Sequence, residues 1–245
     1  MITEQTCTIL KREPAAPDTY MLWLEPERKI SFRPGQFLNV AVPGFALRRP
    51  ISVTDVQDGV IRLTYRTVGA GTKALSEYTG TTLSVLAPLG SGFSLPKPGE
   101  ELLAIGGGIG TAPLIGLIRA AVERNCRVTA VFGFRSPEQT LFQTELAALN
   151  VQTFWCYDSA GENVVSALQR EGLENTPFAA CGPLAMLRAV DAVMQAPGQY
   201  SLECRMGCGF GACMGCSVLT RSGRRRICKD GPVFWREELL WENLR

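Results

Sequence analysis

Four cysteines, Cys208, Cys213, Cys216 and Cys228, stand in the order C-x4-C-x2-C-x11-C toward the end of this 245-residue chain. Thiolates are soft metal ligands, and this spacing is the ferredoxin-type arrangement for a [2Fe–2S] cluster. One tight loop supplies three ligands, and a more distant segment closes the cage. Gly207, Gly209, Gly211 and Gly215 fall in or beside that loop. They predict positive φ values that let backbone N–H groups approach the sulfurs. A zinc ribbon requires C-x2-C twice, and only Cys213/Cys216 has that spacing. Disulfides suit exported chains, and the N-terminus Met1–Gln5 lacks the basic start and apolar core of a signal peptide. Cys204 lies outside the pattern, either a spare thiol or a neighbour of the site.

Two glycine stretches have the chemistry to receive phosphate. Gly106-Gly107-Gly108-Ile109-Gly110-Thr111-Ala112-Pro113 lies between an apolar strand and a helix, where bare amides and a helix N-terminus attract a pyrophosphate. Thr111 occupies the third glycine position of the dinucleotide fingerprint, and no carboxylate follows the next strand. A plain strand-to-helix turn is the competing reading. Cys181-Gly182-Pro183 falls at the end of another such strand, and ligands of open α/β sheets bind beyond the carboxyl ends of strands. Arg135, just past the second of these strands, stands where a 2′-phosphate would be met.

Nearer the N-terminus, Arg48-Arg49-Pro50-Ile51-Ser52, Thr64-Tyr65-Arg66 and Gly71-Thr72 offer guanidinium groups, a ring, hydroxyls and a helix start. Together they form a cradle for a flavin and its diphosphate. Taken singly they read as a surface arginine pair and a glycine turn.

The elements that position these residues fall into two textures. Residues 1–98 carry short apolar segments (Thr6–Leu10, Tyr20–Leu24, Phe37–Val42, Ile51–Val53, Val60–Tyr65 and Leu83–Leu86) separated by turns such as Pro34-Gly35 and Asp58-Gly59. They predict an antiparallel β-barrel or sandwich, with a short helix over Lys73–Tyr78. After a linker at Pro96–Gly99, apolar strands at Leu102–Ile105, Val128–Phe132, Val151–Tyr157 and Phe178–Cys181 alternate with helices over Pro113–Arg124, Glu138–Leu149, Val164–Glu171 and Leu184–Met194. That alternation predicts a doubly wound parallel-sheet α/β domain over residues 99–200. Residues 201–245 form the cysteine region, with a helical tail expected around Glu237, Glu238 and Trp241. Arg221, Arg224, Arg225 and Arg226 precede Cys228. They read foremost as a solvated basic turn, and otherwise as charge offsetting a cluster or docking an acidic partner.

Composition narrows the chemistry. The chain has no histidine, which excludes a Rieske centre, a histidine-ligated zinc enzyme and Ser-His or Cys-His nucleophiles. Bound cofactors must carry the hard chemistry. A net charge of +2 gives no signal for nucleic acid. The longest uncharged run, Leu102–Ile118, is glycine-rich and short for a membrane span. A cytoplasmic location is expected.

The ordered series RPxS, Gly-Thr, GGGxGxxP and CGP resembles the ferredoxin–NADP reductase superfamily. With the cysteine loop and Cys228-Lys-Asp-Gly-Pro-Val-Phe234 added, the chain is similar to electron-transfer subunits of type B dihydroorotate dehydrogenases. The resemblance implies FAD on Arg49, Pro50, Ile51, Ser52, Thr64, Tyr65, Arg66, Gly71 and Thr72. It implies NAD on Gly106, Gly107, Gly108, Gly110, Thr111 and Pro113, near Cys181, Gly182 and Pro183, and the cluster on Cys208, Cys213, Cys216 and Cys228. It further implies an FMN-containing catalytic partner that oxidises dihydroorotate, in a heterotetramer of two plus two. Reductase subunits of hydrogenase, sulfite reductase or transhydrogenase complexes share the same core and are the alternative. Cys204 and the segment Cys156–Gly161 match no motif of the family.

Overall fold

A computed structural model describes residues 1–244. Six antiparallel strands, β1 (Thr3–Ala16), β2 (Thr19–Pro26), β3 (Phe37–Val40), β4 (Arg49–Gln57), β5 (Val60–Arg66) and β6 (Thr82–Leu89), close a barrel in the order β1-β2-β5-β4-β3-β6. Alternation builds it: Leu83, Val85, Ala87 and Leu89 of β6 are buried while their neighbours are not. Leu22, Leu24, Leu38, Ile61 and Leu63 fill the interior, each contributing about 2 kcal/mol of transfer free energy. β1 is longer than its apolar core because irregularities between Ile9/Lys11 and Pro14/Ala16 break the two-residue alternation without ending the pairing. Helix α1 (Ala70–Glu77) packs beside the barrel.

After a turn at residues 96–99 the chain builds a six-stranded sheet. Its elements are β7 (Glu101–Gly107), α2 (Ala112–Val122), β8 (Arg127–Phe134), α3 (Gln143–Ala148), β9 (Gln152–Tyr157), α4 (Val164–Arg170), β10 (Phe178–Cys181), α5 (Leu184–Val193), β11 (Gly198–Ser201) and, after the cysteine loop, β14 (Val233–Trp235). The order is β14-β11-β10-β7-β8-β9, parallel except for β14. The alternate residues Leu103 and Ile105 face α4 and α5, and Leu102 and Ala104 face α2, so each side of the sheet has its own core. A hairpin of β12 (Ser217–Thr220) and β13 (Gly223–Arg226) stands apart from the sheet.

The fold class expected from sequence is present, with local corrections. The helix expected over Glu138–Leu149 is broken into a 3-10 turn, Pro137–Gln139, and α3. Between them Leu141 and Phe142 both turn inward, and Phe142 takes φ 65°, which no helix permits. β11 was missed because Gly-Gln-Tyr-Ser is not an apolar run; Gln199 is buried by exchanging hydrogen bonds of 2.8 and 3.1 Å with the Ser94 backbone. β14 was missed because it has only three residues. In place of a helical tail there are two 3-10 turns, Arg236–Glu238 and Trp241–Asn243.

Barrel and sheet are joined by an ion network. Arg62 of β5 meets Asp55 of β4 at 3.0 Å and Glu145 of α3 at 2.8 Å, and Arg119 of α2 reaches the same carboxylates at 3.3 and 2.5 Å. Asp55 is only 4% exposed. Two guanidinium groups thus neutralise two carboxylates at the seam.

Candidate cofactor sites

A cleft of about 500 Å³ opens between barrel and sheet, within the range of cofactor sites. Pro50, Ile51 and Ser52 of β4, Thr64, Tyr65 and Arg66 of β5, and Thr72 of α1 line one wall; Ile109, Ala112 and Pro113 line another. Pairing of β4 with β5 brings the first two motifs together although they are distant in sequence. Gly71 is buried against the Arg49 guanidinium, which leaves no room for a side chain there. Arg49 also stacks on Phe45 at 4.7 Å. Arg48 points elsewhere, to Glu4 and Ser84. Tyr65 is 3% exposed and its hydroxyl has no partner. An orphaned hydroxyl, a cation pair and a cleft of this volume fit a flavin nucleotide.

The glycine turns share one edge of the sheet. Gly106 of β7 lies level with Cys181 of β10 on the adjacent parallel strand. A β-carbon at Gly110 would lie 2.6 Å from the Cys181 carbonyl oxygen and the Gly182 Cα, and one at Gly182 would lie 3.0 Å from the Gly107 nitrogen. Gly107 is closed in by Met186 and Pro183. These glycines therefore let the two turns pack closely together at the carboxyl edge of the sheet, the edge at which ligands of open α/β sheets bind. Cys156–Gly161, unassigned from sequence, ends β9 at the same edge; there the Ser159 N–H donates to the Arg135 carbonyl at 2.9 Å.

The four cysteines lie together as two sulfur pairs, Cys208 with Cys213 and Cys216 with Cys228. A binuclear cluster takes two thiolates on each iron, so the donor set fits. The Cys208 sulfur accepts N–H bonds from Ala212 at 3.3 Å and Cys213 at 3.4 Å, and the Cys216 sulfur accepts the Cys228 N–H at 3.4 Å. Burial raises the Cys208 thiol, but donors from Cys213, Phe210 and Ala212 outweigh it and bring it down to about 6. Burial first, then Cys216, pushes Cys228 up to about 12. Among the described residues no three such side chains already converge into a metal cage. Of the four glycines only Gly209 and Gly211 have positive φ; Met214 takes a third such position, and Gly207 and Gly215 instead lie against the Cys213 sulfur. Arg221 and Arg224 are exposed on the hairpin turn as expected, whereas Arg226 bonds Asp230 at 3.1 Å and the Gly211 carbonyl at 3.0 Å, bracing the loop.

Sequence motifs did not reveal the third wall of the cleft, Ser201–Met206. It carries no fingerprint and becomes visible only once β11 delivers the chain to the cleft and the cysteine loop begins beyond it. Glu203 projects here, open to cleft solvent yet closely surrounded by protein; burial raises its carboxyl and Arg66 opposes the rise.

Comparison with known proteins bears on both halves. A family model for the iron–sulfur cluster binding domain of dihydroorotate dehydrogenase B matches residues 203–240, and one for the oxidoreductase NAD-binding domain matches residues 104–192. The dihydroorotate dehydrogenase B (NAD(+)) electron transfer subunit of Shouchella clausii is 41% identical, covering 93% of this chain and 94% of that one. The chain belongs to this family of electron-transfer subunits. The Bacillus caldolyticus relative is 35% identical over 98% of this chain and its own full length. Among solved structures, an NADH-dependent reduced ferredoxin-NADP oxidoreductase chain superposes with a TM-score of 0.86 at 27% identity, covering 96% of this chain and 90% of the other. Membership in the family makes the chain a subunit of an NAD-dependent oxidoreductase, with a flavoreductase-type nucleotide domain and an iron–sulfur domain, that serves a catalytic partner. No helix among the described residues is long and apolar enough to cross a membrane.

Proposed function

We propose that residues 1–98 hold FAD, residues 99–200 receive NAD, and residues 201–245 hold a [2Fe–2S] cluster on Cys208, Cys213, Cys216 and Cys228. In this reading two copies join two FMN-containing catalytic subunits in the cytoplasm, and the assembly delivers the electrons of dihydroorotate oxidation to NAD. Flavin and cluster together interconvert hydride and one-electron traffic. The chain's own residues bind, orient and shield. Arg49 and Arg66 offer charge to a diphosphate, the Tyr65 hydroxyl offers a buried hydrogen bond, and Gly106–Thr111 present backbone amides. Hydride exchange between stacked rings requires no protein acid or base, which suits a chain without histidine.

The observation that carries this reading is the shared wall: Ser201–Met206 lines the cleft and runs directly into the cysteine loop. An anaerobic absorption spectrum of the purified chain, with flavin, iron and sulfide counted, is expected to give about one FAD and two irons. A colourless, zinc-containing protein would refute it. Reconstitution with the FMN subunit is expected to give dihydroorotate-dependent NAD reduction. Its failure in a fully loaded chain would point to a hydrogenase, sulfite reductase or transhydrogenase partner.

A further inference from the structure

Arg135 and Asp158 leave neighbouring strands side by side at the carboxyl edge of the sheet. Gly107 of β7, Gly133 of β8 and Cys156 of β9 lie level across three adjacent parallel strands. Phe134 then pairs with Tyr157, and the next residue on each chain is Arg135 or Asp158. Both are exposed. A carboxylate is missing after β8, where the dinucleotide fingerprint expects one. Asp158 supplies one a single strand further along, beside an arginine.

The backbone under Asp158 is fixed on both sides. The Ser159 N–H donates to the Arg135 carbonyl at 2.9 Å, and the Gly161 N–H donates to the Asp158 carbonyl at 3.0 Å. The Glu162 N–H donates to the Tyr157 carbonyl at 3.1 Å. Gly161 takes φ 73°, which lets this short turn close. Among the described residues Asp158 enters no ion pair, so its charge is unspent.

The glycine turn Gly106–Thr111 follows β7, two strand spacings from β9, or about 10 Å. The adenosine ribose of a nucleotide whose pyrophosphate rests on that turn lies within reach of an aspartate at this distance. A carboxylate accepts hydrogen bonds from ribose hydroxyls and repels a 2′-phosphate, whereas a guanidinium attracts that phosphate. The chain is a subunit of an NAD-dependent oxidoreductase, so the carboxylate must prevail over the arginine beside it.

We propose that Asp158 sets the nucleotide preference, its carboxylate accepting the adenosine ribose hydroxyls of NAD and repelling the 2′-phosphate that Arg135 would otherwise hold. The inference rests on the reading that the glycine turn receives NAD.

The test measures calorimetric binding of NAD and of NADP to the oxidised complex with its catalytic partner. Wild type is compared with Asp158→Asn, Asp158→Ser and the double variant Asp158→Asn/Arg135→Ala. In Asp158→Asn, NAD is expected to bind about tenfold more weakly and NADP about tenfold more tightly. The double variant is expected to lose the gained NADP affinity. If the asparagine variant fails to fold, the serine variant carries the comparison, with the same shift expected. An unchanged ratio of the two affinities overturns the proposal while leaving the NAD site intact. Equal weakening of both nucleotides also overturns it, since Asp158 would then only shape the turn. So does a double variant that keeps the NADP gain, which would remove Arg135 from the balance. A wild-type complex that binds neither nucleotide refutes the NAD reading, and this inference with it.

Discussion

Asn39, at the centre of the barrel strand β3, donates from Nδ2 to the Cys208 carbonyl at 3.1 Å. It is 1% exposed, and its register partner across the sheet is Pro50, a residue of the cleft wall. One buried amide thus ties the cysteine loop to the strand beside the flavin cradle. Asn39→Ala leaves that carbonyl without its donor, which costs about 1–3 kcal/mol. The variant is expected to melt lower and to lose iron faster to a chelator than wild type.

Gly209, next along the loop, lies against the same Asn39 amide. It has φ +74°, and a β-carbon there would lie 2.9 Å from the Asn39 Cγ. Gly44 has φ +84° with nothing within 4 Å of its added carbon. Gly44→Ala therefore meets only the backbone cost of about 1 kcal/mol. Gly209→Ala must also displace Asn39. The expected result is a larger fall in melting temperature for Gly209→Ala, with impaired iron retention in that variant alone.

The seam between barrel and sheet provides a second stability prediction. Asp55→Asn leaves Arg62 and Arg119 sharing only Glu145, an uncompensated charge at a largely buried site. A loss of about 3 kcal/mol is expected in urea unfolding. Changing Asp55 and Arg119 together should cost less than the sum of the single changes, as a double-mutant cycle would show.

Tyr65→Phe separates ligand binding from folding. The hydroxyl has no protein partner, Tyr65 lines the cleft, and burial raises the hydroxyl to about 12. Its removal is expected to leave the flavin-free chain as stable as wild type or slightly more so. Flavin affinity should fall about tenfold, measured by fluorescence titration of the flavin-free protein.

Glu203 predicts a pH dependence. Burial raises its carboxyl in the folded chain above the ordinary 4.5, with Arg66 opposing and Arg205 and Cys204 lining the same cleft. The folded state therefore binds this proton more tightly than the unfolded state does. Its contribution to stability is lost as pH rises from 4.5 through the folded value, and remains lost above it. Glu203→Gln removes that penalty. In thermal unfolding of the flavin-free chain the variant should exceed wild type at about pH 8, with the gap vanishing near about pH 4.

The sequence made visible whatever depends on local spacing. β10 was read at its observed limits because Phe178–Cys181 is buried on every side and bounded by polar turns. The cysteine spacing and the glycine turn were legible as patterns for the same reason, since each is written in a short stretch of chain. Ser201–Met206 was not legible, because its place in the cleft depends on β11 pairing with β10. Nor was Asn39, whose partner lies 169 residues away. The break before α3 turns on Phe142 entering the left-handed region to bury its ring against the Arg62 guanidinium. Periodicity does not report such a tertiary decision.

β11 and β14 are neighbours in the sheet, with Ser201 level with Val233. The whole cysteine segment, residues 202–232, is therefore a detour that leaves one strand and returns to the next, its two ends held a strand spacing apart, about 5 Å. A segment anchored this way closes no new long loop when it changes length or sequence. A change in its length therefore leaves the entry and exit strands of the sheet where they are, and the sheet itself need not be rebuilt around it.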